Sequence, residues 1–216
     1  MRYNTEGTPE NLYNRAGIYA EFGKIICISC GILQVRGGEK RLVLKSFFCE
    51  EERELLQAFC DMLCKWATDN NKFLCAHNGK EFDFPYLCRR MTILGIKLPS
   101  CLNIAGKKPW EVSLLDTMEM WKFGDYKNYT SLELLATVLG IPSPKDDIDG
   151  SMVGPVYWSA KTQEEKEQCL ERIAVYCQKD VVTMVQVYLR LQGEEMLYPE
   201  NIEIKRYGTH QLFVRG

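Results

Sequence analysis

The sequence has no run of about 18 apolar residues, so no transmembrane helix is predicted. Its opening stretch, MRYNTEGTPENLYNRAG, has no apolar core of a secretory signal. Both absences predict a cytoplasmic protein that does not enter membranes. Charge of one sign is also lacking: 27 basic residues face 29 acidic ones, for a net charge of −2. That excludes a coat held on nucleic acid by charge alone, but not a protein that grips only a few nucleotides. No internal repeat, linker or break in composition divides the 216 residues. One domain over 1–216 is predicted, with 1–23 as an N-terminal extension carrying a short helix. Apolar residues at 46% and charged ones at 26% allow a packed core and argue against disorder.

Zinc-type ligand spacing is nearly absent too. Ten cysteines without an export signal read as free thiols in a reducing compartment. Only Cys27 and Cys30, in CISC, have metal-like spacing. They lie in a strand-like run, where residues three apart point to opposite faces, and no second pair follows at zinc-finger spacing. They are read as small apolar side chains.

What is present is an alternation of strands and helices. Thr8-Pro9 and Gly17 bound a short helix over about 9–16. KIICISCGILQV (24–35) and RLVLKSFF (41–48) read as strands joined by a turn at 36–40. Residues 50–69 carry acids at the start and an apolar stripe of Leu55, Leu56, Phe59, Leu63 and Trp66 at helical spacing. A short strand at 72–76, a helix running from about Pro85 to Gly95, a strand within 111–121 and a helix over 129–142 follow. A loop at 142–155 leads to a long helix at 162–192, and 201–208 reads as a short strand. The order predicts an α/β fold: a mixed sheet with helices on both faces.

Two places carry chemistry. In FLCAHNGKEFDFPYL (73–87), Asp83 lies just past a buried strand, where open α/β folds present ligands. Asn78 has a side chain able to tie the turn, and Phe82 is read as its anchor in the core. On the long helix, Tyr176 and Asp180 are four apart and share a face. His77 reads as a packed or capping residue.

Together, HNGKEFD (77–83) and YCQKD (176–180) resemble motifs of the 3′→5′ exonucleases that have a ribonuclease H-like fold and four acidic metal ligands. Asn78, Phe82 and Asp83 meet the pattern Asn-x3-Phe-Asp. Tyr176 and Asp180 meet Tyr-x3-Asp, which places the resemblance in the tyrosine subclass. SLELLATVLGI (131–141) and LLDTMEMW (114–121), where Asp116 ends a strand, are similar as well. The chain looks most like predicted exonucleases related to the proofreading domain of family-B DNA polymerases. The resemblance implies hydrolysis of nucleic acid from the 3′ end with two magnesium or manganese ions, with single-stranded DNA as the substrate. It implies Asp83 and Asp180 as metal ligands, Tyr176 as the residue that orients the attacking water, and Asn78 and Phe82 as substrate contacts. A polymerase partner is left open.

One motif of that family is missing. Its Asp-x-Glu, on the first central strand, has no counterpart before residue 50, and the first Asp is Asp61. The nearest match, Asn4-Thr5-Glu6, sits in a polar stretch. The predicted sheet therefore lacks its first central strand, and the chain reads as one that starts downstream of it. Two readings follow: an exonuclease completed by an upstream segment, with little activity from these residues alone, or an inactive remnant that binds nucleic acid or a partner. Arg89, Arg90, Lys97, Lys107, Lys108 and Trp110 are candidates for lining a single-strand groove, and KDDIDGS (145–151) for bordering the cleft.

Overall fold

The structure is a computed structural model, and it describes residues 16–69, 71–126, 129–142 and 148–205. The predicted helix at 9–16 apart from Ala16, Asn4-Thr5-Glu6, residues 143–147 of the predicted loop and 206–208 of the last predicted strand lie outside these. Among the described residues, no helix is long and apolar enough to cross a membrane.

Strands β1 (Cys27–Arg36) and β2 (Glu39–Phe48) form an antiparallel hairpin, registered from Cys27 opposite Phe48 to Arg36 opposite Glu39. They run right up to a two-residue turn, Gly37-Gly38, with φ of 60° and 85°. A tight hairpin needs the left-handed region at both positions, which glycine enters without strain. The hairpin is thus tighter than the turn predicted at 36–40.

The pleat of β2 sorts its side chains. Leu42 and Leu44 are fully buried on one face, against Val185 and Leu189 of helix α6 (Gln163–Leu191). Phe47 faces the other way, onto Leu55, Leu56 and Phe59 of helix α1 (Glu52–Trp66). Its ring meets Phe59 edge-on at 5.6 Å. Burying each such side chain contributes roughly 2 kcal/mol. Both faces of the sheet therefore carry a helix, as the α/β layering predicts. Strand β5 (Ile202–Lys205) pairs parallel with the outer edge of β2, giving a mixed sheet in the order β1-β2-β5.

A second, two-stranded parallel sheet holds β3 (Leu74–Ala76) and β4 (Leu114–Asp116). Among the described residues, no ladder joins the two sheets, so the single mixed sheet expected is seen as two parts. Helix α6 spans both. Ser29 on β1 reaches the Ala174 carbonyl, and Cys75 on β3 lies 3.7 Å from the Met184 sulfur. Cys27 packs toward α6 while Cys30 joins the cluster around α1, so their side chains take opposite faces. All ten cysteines are free thiols.

Helix α2 (Asp83–Ile93) holds Pro85 in its first turn, and Gly95, at φ 66°, follows its end. Two helices were not anticipated. Helix α3 (Thr117–Lys122) follows β4 without a loop, capped by Asp116. Helix α5 (Val153–Ser159) contains Gly154 and Pro155, which read as loop residues but here fall in a first turn, where proline is tolerated. Helix α4 (Leu132–Val138) is shorter than its pattern, capped by Ser131.

Arg90 corrects another expectation. It is not on an open groove: it is buried, and its guanidinium clamps Glu52 with Nε–Oε1 at 2.8 Å and Nη2–Oε2 at 2.5 Å. Its Nη1 donates to the Ala20 carbonyl, and Glu52 accepts from the Ile25 amide. The pair ties the segment leading into β1 onto α1 and α2.

Candidate active site

The turn after β3 is shaped by a carboxylate that sequence reasoning did not single out for this role. Asp116, at the carboxyl end of β4, is 2% exposed. Its Oδ1 accepts from the Asn78 and Met118 amides at 2.9 Å each, and Oδ2 accepts from the Lys80 amide at 3.1 Å. One side chain thus satisfies amides of the turn and caps α3. It acts where the Asn78 side chain was expected to act. Asn78 is held at φ 60°, a region that asparagine tolerates better than most residues. Gly79 follows because a Cβ there would sit 2.4 Å from the Ala76 Cβ.

His77 staples the same turn to the next elements. Its Nε2 donates to the Thr130 carbonyl at 2.8 Å, so in the neutral ring Nδ1 accepts from the Thr117 hydroxyl at 2.9 Å. The packed role expected for His77 is the one seen. Lys80 adds an ion pair to Glu119 at 2.6 Å.

This turn presents Asp83 in the first turn of α2. The anchor is Phe84, 8% exposed, rather than Phe82, which is 46% exposed and stacks at a tilt on Tyr86, 5.6 Å away. The sequence expectation had Phe82 in the core. The reason is helical geometry: residues two apart point about 200° from each other, so only one of the pair can face inward. Asp83 remains open to solvent while protein crowds its carboxyl. That crowding raises its pKa, against the hydrogen bond from its own amide. The charges of Asp116 and Asp180 push the same way, and His77 pulls down.

The carboxylates of Asp83 and Asp180 are therefore within electrostatic reach of each other. On α6, Tyr176 hydrogen-bonds to Asp180. Burial first, then this charged acceptor, holds the Tyr176 phenol well above its ordinary value. Tyr176 also faces the segment after the undescribed part of the 142–155 loop. Asp149 contributes to the raised phenol pKa, and a Cβ on Gly150 would lie 3.7 Å from the Tyr176 oxygen. Asp149 is held by Ser151, whose amide and hydroxyl both donate to its Oδ1. The 148–151 part of KDDIDGS, the stretch named as a candidate for bordering the cleft, thus brings Asp149 beside Tyr176.

Asn78 carries an orphan: its buried Oδ1 has no hydrogen-bond partner. Trp110 is 78% exposed, with the Lys108 ammonium 5.3 Å from its ring centre. Arg89, Lys97 and Lys107 are exposed as well. Among the described residues, no group of three or more His, Cys, Asp or Glu side chains is arranged to hold a metal.

Asp83 and Asp116 lie beyond the carboxyl ends of short parallel strands, where open α/β folds present ligands. The chain belongs to the RNase_H superfamily, whose family model matches residues 15–192. Membership points to nuclease chemistry on nucleic acid, for which divalent metals are usual. No curated protein matches the chain.

Proposed function

We propose that the chain is a 3′→5′ exonuclease-type member of the superfamily, related to polymerase proofreading domains, and that it takes the 3′ end of single-stranded DNA. The observation that carries this reading is the meeting of Asp83 with the Tyr176–Asp180 pair, from elements far apart in sequence. The donor set fits magnesium or manganese: two carboxylates and the orphan Asn78 Oδ1 are hard oxygens. When bound, such ions supply Lewis acidity to a phosphoryl oxygen and to a water.

The chain's own groups then have distinct tasks. Asp83 and Asp180 hold the cation. Tyr176 keeps its proton throughout the physiological range, since its pKa is raised. That proton goes to Asp180, so the oxygen's lone pairs stay free to accept from a water and aim it. Tyr176 is thus a positioning group and not a base. Asn78 Oδ1 accepts a donor from the terminal nucleotide if the cation leaves it free. Exposed Phe82, beside Asp83, offers an aromatic face to that nucleotide.

The test is a gel assay on oligonucleotides labelled at the 3′ or 5′ end, with magnesium or manganese. Slow, metal-dependent shortening from the 3′ end is expected. Asp180→Asn should abolish it, and Tyr176→Phe should slow it by about 10–100-fold, as loss of a ligand's support does. The absence of a third metal-binding side chain among the described residues favours a second reading, a member that binds nucleic acid without cleaving it. Binding without cleavage, unaffected by Asp180→Asn, would select that reading.

A further inference from the structure

Cys27 stands out in sequence for its spacing from Cys30, but the fold gives it another partner. Cys177, on α6 and 150 positions away (177 − 27), donates its S–H to the Cys27 sulfur. The register of β1 on α6 brings the two together. Ser29 Oγ donates to the Ala174 carbonyl at 3.5 Å, and a Cβ on Gly31 would lie 3.4 Å from a Val181 methyl. Cys27, one pleat before Ser29, takes the same face of β1. Cys177, one turn before Val181, takes the same face of α6. Both thiols pack, with Tyr176, on the cluster of Ile148, Tyr157, Leu170 and Ile173.

The hydrogen bond to Cys27, ahead of burial, holds the Cys177 thiol well above the ordinary 9.0. Cys177 is therefore the member that keeps its proton, and Cys27 the one whose sulfur is offered to a reagent. Neither thiol is sealed in the core; both are half-buried. A buried thiol with no sulfur beside it serves as a small apolar side chain. Two thiols in hydrogen-bond contact can do more, because the first to be oxidised finds its resolving partner already in place.

We propose that Cys27 and Cys177 form an oxidation site, which hydrogen peroxide converts to a disulfide that pins β1 to α6 beside Tyr176. The Cys27 sulfur attacks one peroxide oxygen, the O–O bond breaks, and one water leaves, with Cys27 now a sulfenic acid. The Cys177 sulfur then attacks the Cys27 sulfur. An S–S bond forms, the S–O bond breaks, and a second water takes up the Cys177 proton and departs. In sum, two thiol protons and two electrons pass to one hydrogen peroxide, which becomes two waters. A thiol-based reductant reverses the change by exchange. The site stands independently of the nuclease reading.

The test treats the folded chain with hydrogen peroxide, blocks the remaining thiols with N-ethylmaleimide and maps the unreduced digest by mass spectrometry. A pair of peptides joined through Cys27 and Cys177, and separated by dithiothreitol, is expected. Cys64→Ser removes an exposed thiol and should leave that link intact. Cys27→Ser and Cys177→Ser should each abolish it. The bond closes a long loop and so restricts the unfolded chain. The melting temperature of the oxidised wild type should therefore rise by about 5–15 °C and fall back with dithiothreitol. Cys27 recovered as a sulfinic acid, with Cys177 still carrying maleimide, overturns the pairing. Oxidation confined to other cysteines overturns it as well. A link that forms only in urea, or that lowers the melting temperature, removes it from the native fold and overturns the proposal too.

Discussion

Asp116 shows how much one carboxylate can organise. Three backbone amides point at it, two of them from the turn that sets Asn78 and Asp83. Replacing it by Ala leaves those buried donors unsatisfied, at about 1–3 kcal/mol each where water cannot enter. We expect Asp116→Ala to lower the urea midpoint by an amount worth about 3 kcal/mol with the m-value unchanged. A loss under about 0.5 kcal/mol would mean the turn holds itself. Asp116→Asn should fail to restore the midpoint, because its amide group offers a donor where the turn needs an acceptor. Gly79 gives a second residue-level expectation. With Ala76 so near, Gly79→Ala must push β3 or the turn aside, and we expect loss of both stability and metal-dependent cleavage. Unchanged thermal melts would refute it. Neither residue carries a signal in sequence beyond being a strand-end acid and a turn glycine. Their importance comes from atoms on other elements.

Among the elements, α1 and α2 are joined by the buried Glu52–Arg90 pair. The pair's worth lies in what happens when it is broken. Removing one partner leaves an uncompensated buried charge, costing about 3–5 kcal/mol, while replacing both with apolar residues is often neutral. We expect Arg90→Met to be strongly destabilising, and Glu52→Leu combined with Arg90→Met to be much less so, read from chemical denaturation of the single and double variants. Equal losses in all would show that the geometry, not the charge, is what matters. The same experiment separates structure from binding. Because Arg90 is buried, its loss should leave the salt dependence of any nucleic-acid affinity unaltered, whereas loss of a phosphate contact would reduce it. On helix α6, Leu170, Ile173, Ala174 and Val185 are buried, and the Thr162–Glu165 capping box starts it. Helices α3 and α5 had too few turns to show a period.

At the scale of the whole molecule, the thiols make stability fall at high pH. Burial pushes Cys30 and Cys60 up to about 11, and Cys75 to about 12, from an ordinary value of 9.0. Between about 9 and 12 the unfolded chain gives up these protons while the folded chain keeps them, so stability declines as pH rises through that window and is fully present below it. Thermal melts under reductant from pH 7 to 11 should show the decline, with a smaller slope for Cys75→Ala. Identical slopes for the two proteins would remove the thiols from the explanation. The division of the strands into two sheets is the other large-scale feature. Open sheet edges carry unpaired amides and carbonyls and readily accept a further strand. Helix α6 reaches both sheets, and the core around helices α1 and α2 gathers Phe47 of β2 with Leu114 of β4.

The layering, the hairpin, the long helix and the pair Tyr176–Asp180 were legible in the sequence, because each depends on residues within about four positions and repeats with the period of its element. The place of Asp83 just past a strand was legible as well. What the sequence could not decide were the choices made by distant atoms: which of Phe82 and Phe84 turns inward, whether Arg90 meets solvent or Glu52, and which acid bonds the Asn78 turn. The approach of Asp149 to Tyr176 belongs with these. Each depends on what tertiary packing places opposite the side chain, and burial energy together with hydrogen-bond satisfaction then selects among arrangements that local pattern leaves equal.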